Sequence, residues 1–347
     1  MFKQIEIKNF RGIKELKVEN LKKFNVFVGD NGSGKTSILD AVYISINPNN
    51  PNLSPKTNVF RGISETPEKL ERFWKSLFYD FNSSSNISIN CLLAGNEKRN
   101  LQIKPMFEFQ EGEYLKSPDK VSSDSKMKKN ILGLNIDFDI NGEKFKSETK
   151  QQEQVRADEK YKELLTGAYL NSFTVQDRSG ISKDLSDVLE MKKKSKVIEF
   201  LKKFKESISD IYSDEKRISI LDDDFDESVL LNTYGDGLVR GLRYYLTALN
   251  NNNIILIDEI ENGLHWSKQM VVFEYLYKIS EEFKDVQFFM TSHSYDTVNS
   301  LYKTAKEFDF MNDVNICRVE SADGKSRIEY FNENDLKYFS DNKLELR

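Results

Sequence analysis

The sequence predicts an α/β protein with a mixed central sheet and an inserted α+β lobe. Three observations carry this. Phe24 to Tyr43 reads as a buried strand, a glycine-rich turn and a helix in immediate succession. Ile254 to Ile257 and Val286 to Met290 are short apolar runs of the length and β-branched character of buried parallel strands. Residues 47 to 168 change character to short alternating strands, helix breaks and charged segments. The 347 residues suffice for one large domain or two lobes with sizeable cores. Hydrophobic residues at 38% and charged residues at 31% are the balance of a soluble globular protein. A net charge of −5 argues against a general polyanion binder, although a local basic face is compatible with it. Cys91 and Cys317 are too few for a disulfide scaffold or a zinc cluster and read as reduced, partly buried thiols. Met1 to Glu6 alternates with charge, unlike a signal peptide, and no run approaches the ~20 apolar residues of a membrane span. A cytoplasmic protein without a membrane partner is expected.

In chain order, Phe2, Ile5 and Ile7 alternate with polar residues up to Asn9-Phe10-Arg11-Gly12, and strands follow at Ile13 to Val18 and Phe24 to Val28. The next segment satisfies G-x-x-x-x-G-K-[ST] through Gly29, Gly34, Lys35 and Thr36. Glycines let the backbone curl so that several N–H groups point at a phosphate, and the helix N-terminus adds to that field. Lys35 can reach the β- and γ-phosphates, and the Thr36 hydroxyl can ligate Mg²⁺. The expected phosphate-binding set is Gly29, Asn31, Gly32, Ser33, Gly34, Lys35, Thr36 and Ser37. ATP and Mg²⁺ are the expected ligands.

Asn47 to Asn52 breaks the helix. Pro67 to Tyr79 predicts an amphipathic helix with Leu70, Phe73, Trp74 and Leu77 on one face; Trp74 suits core packing more than a partner surface. Strands are expected at Ile87 to Leu93, Leu101 to Ile103 and Leu134 to Ile140, with a mobile loop at Ser117 to Asn130 and a charged helix at Gln151 to Leu165. Residues 47–168 therefore read as the inserted lobe, leaving 1–46 and 169–347 as the head. In the head, Tyr169 to Val175 reads as a strand and Asp184 to Ile208 as a long helix, inside a helical lobe of about 184–250. Met191 to Lys194 is a basic turn, better read as a solvated helix face than as a contact to a nucleic-acid backbone. Asp222 to Glu227 lacks calcium-loop spacing and reads as solvated.

Three constellations follow. Thr233 to Arg243 places Gly235-Asp236-Gly237 before a helix N-terminus, an anion-binding geometry. Ile254 to Ile257 ends in Asp258 and Glu259, then Ile260-Glu261-Asn262-Gly263-Leu264-His265. A buried strand ending in two carboxylates suits one that holds Mg²⁺, Asp258, and one that orients and polarises water, Glu259. Val286 to Met290 ends in Thr291-Ser292-His293-Ser294. Both histidines of the chain fall in these motifs.

Ile5 to Ile13, Phe24 to Gly29 and the three constellations together resemble ABC-type ATPases of the SMC, RecF and OLD groups, most of all the OLD-related single-chain ATPases. The fold this implies is an ABC-type P-loop ATPase head, and the activity is ATP hydrolysis. The resemblance covers residues 1–46 and 230–300 by specific motifs and the middle only in general plan. It implies Arg11 near the phosphates, where it otherwise reads as a solvated turn residue. It implies Gln176 as a strand-end glutamine helping to hold Mg²⁺ and water, where a surface turn is the alternative. Gly235, Asp236 and Gly237 match the G-D-G-x-x-R form of the signature motif. Transporters carry a serine where Gly235 stands, so a serine contact to phosphate does not carry over. Asn262 to His265 matches the D-loop, with His265 equally readable as structural or catalytic, and His293 matches the switch histidine at the γ-phosphate. Lys35, Glu259 and His293 form the implied catalytic set, and Thr36, Asp258 and Gln176 the metal set.

The family further implies a homodimer or higher homo-oligomer joined through its ATP sites. The roughly fifty residues after the switch motif fall short of the ~100 of a Toprim nuclease domain. The first functional expectation is a regulatory ATPase of a phage-defence system controlling a separate nuclease or toxin. The second is a DNA repair or processing ATPase of the RecF and SMC kind that clamps DNA on pairing. A transport subunit ranks third, since the signature serine is missing and the insertion is large.

Overall fold

A computed structural model describes all residues except 64–65, 67–69, 110–128, 151–154, 163–164, 176, 215–216, 251, 323–324 and 343–347. The chain opens with β1 (Phe2–Phe10), β2 (Ile13–Val18) and β3 (Phe24–Val28), where the alternation predicts them. Three helices follow: α1 (Lys35–Ile46), α2 (Leu53–Val59) and α3 (Leu70–Lys75). Next come β4 (Ile87–Leu93), β5 (Lys98–Phe109), β6 (Lys129–Ile140), β7 (Glu143–Lys150), β8 (Val155–Arg156) and β9 (Gly167–Leu170). The helical part is α4 (Ser172–Val175), α5 (Arg178–Glu190) and α6 (Lys194–Lys202), followed by β10 (Ile208–Asp214), β11 (Arg217–Asp222) and β12 (Val229–Leu230). The last third runs α7 (Asp236–Leu249), β13 (Ile254–Ile257), α8 (Trp266–Glu282), β14 (Gln287–Thr291), α9 (Tyr295–Glu307), β15 (Val314–Ala322), β16 (Lys325–Phe331) and α10 (Glu333–Asn342).

The central sheet has the order β16-β15-β3-β14-β13-β9, with every neighbour parallel except the β15–β16 hairpin. It is a mixed sheet, as the sequence predicts. Its inner strands β3, β13 and β14 are buried on both faces, which explains why they read as unbroken apolar runs. Phe24, Val26, Ile255, Ile257, Phe288 and Met290 face the core built with α5 to α10. Phe27, Ile254, Leu256 and Phe289 face the second core, shared with α1 and the antiparallel sheet. That second sheet has the order β2-β1-β4-β5-β6-β7-β8, so the strands of residues 47–168 extend the sheet begun by β1 and β2. Gln287, fully buried at the start of β14, fastens the two sheets. Its Oε1 accepts from Phe2 N at 2.7 Å, and its Nε2 donates to the carbonyls of Phe2 at 2.9 Å and Lys22 at 2.7 Å.

Several elements differ from expectation, each for a local reason. The described part of 151–165 is not helical. Val155–Arg156 pairs with β7 at the sheet edge, and Asn49 takes both backbone groups of Asp158. Tyr161 then packs its ring on Phe138 and Phe145 at 5.3 and 5.4 Å. These tertiary contacts override the helix propensity of the Glu- and Lys-rich run. The helix expected over Asp184 to Ile208 is two helices, because Lys192 takes a left-handed φ of 58° and Ile208 already starts β10. The strand expected through Val175 stops at Leu170, where Asn171 Oδ1 accepts from Thr174 N at 3.0 Å and turns the chain helical. The acidic loop is not wholly solvated: Asp222 is buried and accepts from Lys205 Nζ at 2.5 Å, Ser207 Oγ at 2.6 Å and Tyr234 Oη at 2.6 Å. Helix α3 ends at Lys75, after which Leu77 O accepts from Arg11 N at 2.9 Å and Phe78 bridges Phe10. Trp74 is buried in the second core. Of the loop expected over Ser117 to Asn130, residues 117–128 lie outside the described residues, while Lys129 and Asn130 begin β6. Cys91 and Cys317 are free and fully enclosed; burial pushes the Cys91 thiol up to about 12. Among the described residues no helix is long and apolar enough to cross a membrane.

Candidate active site

The carboxyl ends of β3, β13 and β14 lie side by side, and each carries one of the motifs. Ligands in parallel α/β sheets collect at such an edge. The loop after β3 requires its first glycine twice over. Gly29 has φ 132°, and a Cβ there would lie 2.4 Å from the carbonyl oxygen of Val319 on β15. Lys35 opens α1 with only 4% of its surface exposed. Its Nζ donates to the carbonyls of Gly29 and Asp30, both at 2.8 Å, and lies 3.4 Å from His293 Nδ1. Burial lowers the Lys35 pKa, opposed chiefly by Asp258.

Asp258 leaves the end of β13 and is the hub of the site. Its Oδ1 accepts from Thr36 Oγ1 at 3.0 Å and Thr291 Oγ1 at 2.7 Å, and burial raises its pKa. Thr36 and Asp258 thus bring two hard oxygen donors together next to the phosphate loop, a set that suits magnesium better than a soft metal. Glu259 holds a left-handed φ of 55°, fixed by donation of its N–H to Thr291 Oγ1 at 2.8 Å. Asn262 Nδ2 donates to Glu259 Oε2 at 2.6 Å, and Glu259 Oε1 lies 3.7 Å from His293 Nε2. Glu261 Oε1 accepts from the backbone N–H of His293 at 2.6 Å. A carboxylate held in this way, facing a lysine-lined phosphate loop, can orient and polarise a water molecule. Sequence reading groups Lys35, Thr36, Asp258, Glu259 and His293, and the structure places them side by side. It misses Thr291, which donates to the Asp258 carboxylate and accepts from the Glu259 backbone N–H, and Glu261 as the support of His293. The hydroxyl ending β14 and the second carboxylate of Glu-Ile-Glu were the signals available.

Two connected recesses border this cluster. One, of about 380 Å³, is lined by Gly29, Asp30, Asn31, Glu259, Glu261, Asn262 and His293. The other, of about 530 Å³, is lined by the phosphate-loop residues Gly32, Gly34, Lys35, Thr36 and Ser37 together with Arg11, Arg61, Tyr79 and Phe81. Arg11 is buried rather than solvated. Its Nε approaches Asp40 Oδ2 at 2.7 Å, too poorly aligned for a hydrogen bond, and its Nη2 donates to Thr57 Oγ1 at 2.6 Å. Burial takes the Arg11 guanidinium down to about 10, with Asp40 opposing. Arg61, which sequence reading misses, donates to the same carboxylate oxygen at 2.8 and 3.1 Å, and Tyr169 Oη donates to Asp40 Oδ1 at 3.0 Å. One buried carboxylate therefore faces two guanidinium groups beside the phosphate loop. Asp40→Asn should lower the Tm by on the order of 10 °C, because it leaves the buried Arg11 unneutralised and takes the carboxylate partner from the partly exposed Arg61. Scanning calorimetry checks this, and a shift within about 1 °C would show that solvent already screens the cluster.

The signature residues lie elsewhere. Gly235 and Asp236 are exposed at the start of α7, and Gly237 is half-buried against its own chain: a Cβ there would lie 2.8 Å from the carbonyl oxygen of Gly263. None of the three lines either recess. His265 caps α8, with Nδ1 3.4 Å from Ser267 N and 2.9 Å from Ser267 Oγ. Gln176 lies outside the described residues.

The chain is similar to known proteins in sequence and in fold. The family model described as AAA ATPase domain matches residues 1–234 and, overlapping them, 176–298. An ATP/GTP phosphatase of Helicobacter pylori is 26% identical over 374 aligned positions, covering all of both chains. The DNA replication and repair protein RecF of Lactococcus lactis subsp. cremoris is 49% identical over 41 residues, which are 12% of this chain and 11% of RecF. In fold, the chain is similar to an Smc head domain from Pyrococcus furiosus solved with the C-terminal domain of ScpA. The TM-score is 0.52 at 13% identity, over 99% of this chain and all of the other.

Proposed function

Because the chain belongs to the AAA ATPase domain family and is an ATPase of the SMC and RecF kind, we propose that it works as an ATP-driven pairing switch. Lys35 and the amides at the start of α1 hold the phosphates. Thr36 and Asp258 would hold Mg²⁺, which neutralises phosphate charge. Glu259 aligns the attacking water and His293 meets the γ-phosphate. The observation that carries pairing is the position of Gly235 to Gly237. Their exposed helix N-terminus is an anion site held against the chain's own Gly263 and away from its own phosphate loop, so a second copy supplies the P-loop it serves.

Light scattering of the Glu259→Gln protein tests this. Mg-ATP should double its mass, since pairing strengthens with bound nucleotide by mass action and slow turnover preserves it. Gly237 is a poor probe, because any side chain there meets Gly263. Gly235 has nothing within 4 Å of an added Cβ, so Gly235→Glu sets a charge at the pairing face without disturbing the fold. It should abolish the doubling and leave ATP binding intact. A mass indifferent to both nucleotide and Gly235 would show that another surface joins the subunits.

For the output of the switch, we propose control of a separate nuclease or toxin in phage defence, a reading supported by the Gly235-Asp236-Gly237 to Arg240 form of the signature. The similarity to RecF favours a second reading, DNA processing by the paired heads. Co-purification of an effector nuclease supports the first. Tight, ATP-dependent DNA binding by the purified chain alone supports the second.

A further inference from the structure

The recess lined by the phosphate loop is also lined by a strained aromatic turn that nothing in the hydrolytic chemistry uses. Leu77 and Phe78 are buried and pinned to the β1–β2 turn through Arg11 N and Phe10. The next three residues, Tyr79, Asp80 and Phe81, form a short turn in which Asp80 and Phe81 both have φ 53°. A left-handed backbone is uncommon for Asp and a genuine outlier for Phe, whose bulk disfavours it. Phe81 gains no core packing in return, since 63% of its surface is exposed. Such strain persists where the surroundings impose it, and it collects at ligand clamps. Tyr79 and Phe81 line the same recess as Gly34, Lys35, Thr36 and Ser37, and neither lines the recess that holds Glu261 and Asn262.

We propose that Tyr79 and Phe81 are the base platform of the nucleotide site. The proposal rests on the reading of Lys35 and its loop as the triphosphate site. With the γ-phosphate directed at Glu259 and His293, the remainder of the nucleotide extends past Thr36 and Ser37, toward the aromatic turn. A purine ring stacked on Phe81 covers an aromatic face otherwise left in water. Stacking on an aromatic side chain recognises a π-face and is tolerant of base identity, so adenine and guanine nucleotides should both be accepted.

The test uses Phe81→Asn in the full chain, with calorimetric titration of ATP, GTP and inorganic tripolyphosphate. Asparagine tolerates a left-handed backbone, so the variant relieves the turn and should raise the Tm. ATP and GTP affinities should each fall about tenfold, the scale of one lost base–aromatic stack, while tripolyphosphate binds as before. Phe81→Trp should retain nucleotide affinity. A Phe81→Asn protein with unchanged ATP affinity, or one that loses ATP and tripolyphosphate equally, overturns the platform. If the unaltered chain binds neither ATP nor tripolyphosphate, the phosphate-site reading fails instead, and the two failures are distinct.

Discussion

Glu259→Gln should slow ATP hydrolysis by about a hundredfold or more while ATP affinity stays within about threefold. The substitution keeps size and shape and removes only the charge that draws a proton from water. Its surroundings make it a clean change. Glu259 N is held by Thr291, and one carboxylate oxygen already accepts from Asn262 Nδ2, a bond that the glutamine carbonyl oxygen can still accept. The left-handed backbone at residue 259 is set by Thr291 and is as tolerable for Gln as for Glu. Phosphate release and isothermal binding, measured together, read the two effects separately. Asp258→Asn is the control: it disturbs the hub shared by Thr36 and Thr291 and should impair binding as well as turnover. If Asp258→Asn stops hydrolysis and Glu259→Gln does not, the proton acceptor is misassigned.

Lys35→Met should weaken ATP binding by at least about a hundredfold, because it removes a charge-assisted donor that two phosphates would share. Methionine is chosen over alanine for a structural reason. Lys35 is almost wholly enclosed, and its stem fills space at the start of α1. Alanine would mix a packing loss with the loss of charge. Methionine keeps the stem and leaves the Gly29 and Asp30 carbonyls without their donor, so the Tm should fall modestly while nucleotide affinity collapses. Unchanged affinity in a calorimetric titration would remove the phosphate loop from the site.

What the sequence discloses follows from where each residue's partner lies. The strand, phosphate loop and helix over Phe24 to Ile46 form from contiguous residues, and period and glycine spacing reveal them directly. Asp258, Glu259 and His293 end apolar runs, so their place at a strand terminus is legible too. Arg61 is not, because its meaning comes from Asp40, which sits on α1 inside an apolar helix. Thr291 looks like the last residue of a strand until Asp258 and Glu259 meet it from the neighbouring one. The helix expected over Gln151 to Leu165 is not formed in its described residues for the same reason: local composition favours it, and a long-range ring contact by Tyr161 decides otherwise.

The sheet order also fixes when the protein becomes competent during synthesis. Strand β3, which carries the phosphate loop, has both of its neighbours at the far end of the chain: Phe24 pairs with Phe288 on one side and Val314 on the other. At roughly 5–20 residues per second, a ribosome needs on the order of tens of seconds to deliver them. Until then β3 is an apolar strand with two bare edges, the state most prone to wrong pairing. Bacterial expression at reduced temperature, or with trigger-type chaperones in excess, should raise the yield of folded chain. Truncation before residue 314 should leave the early strands insoluble, whatever the health of their own sequence.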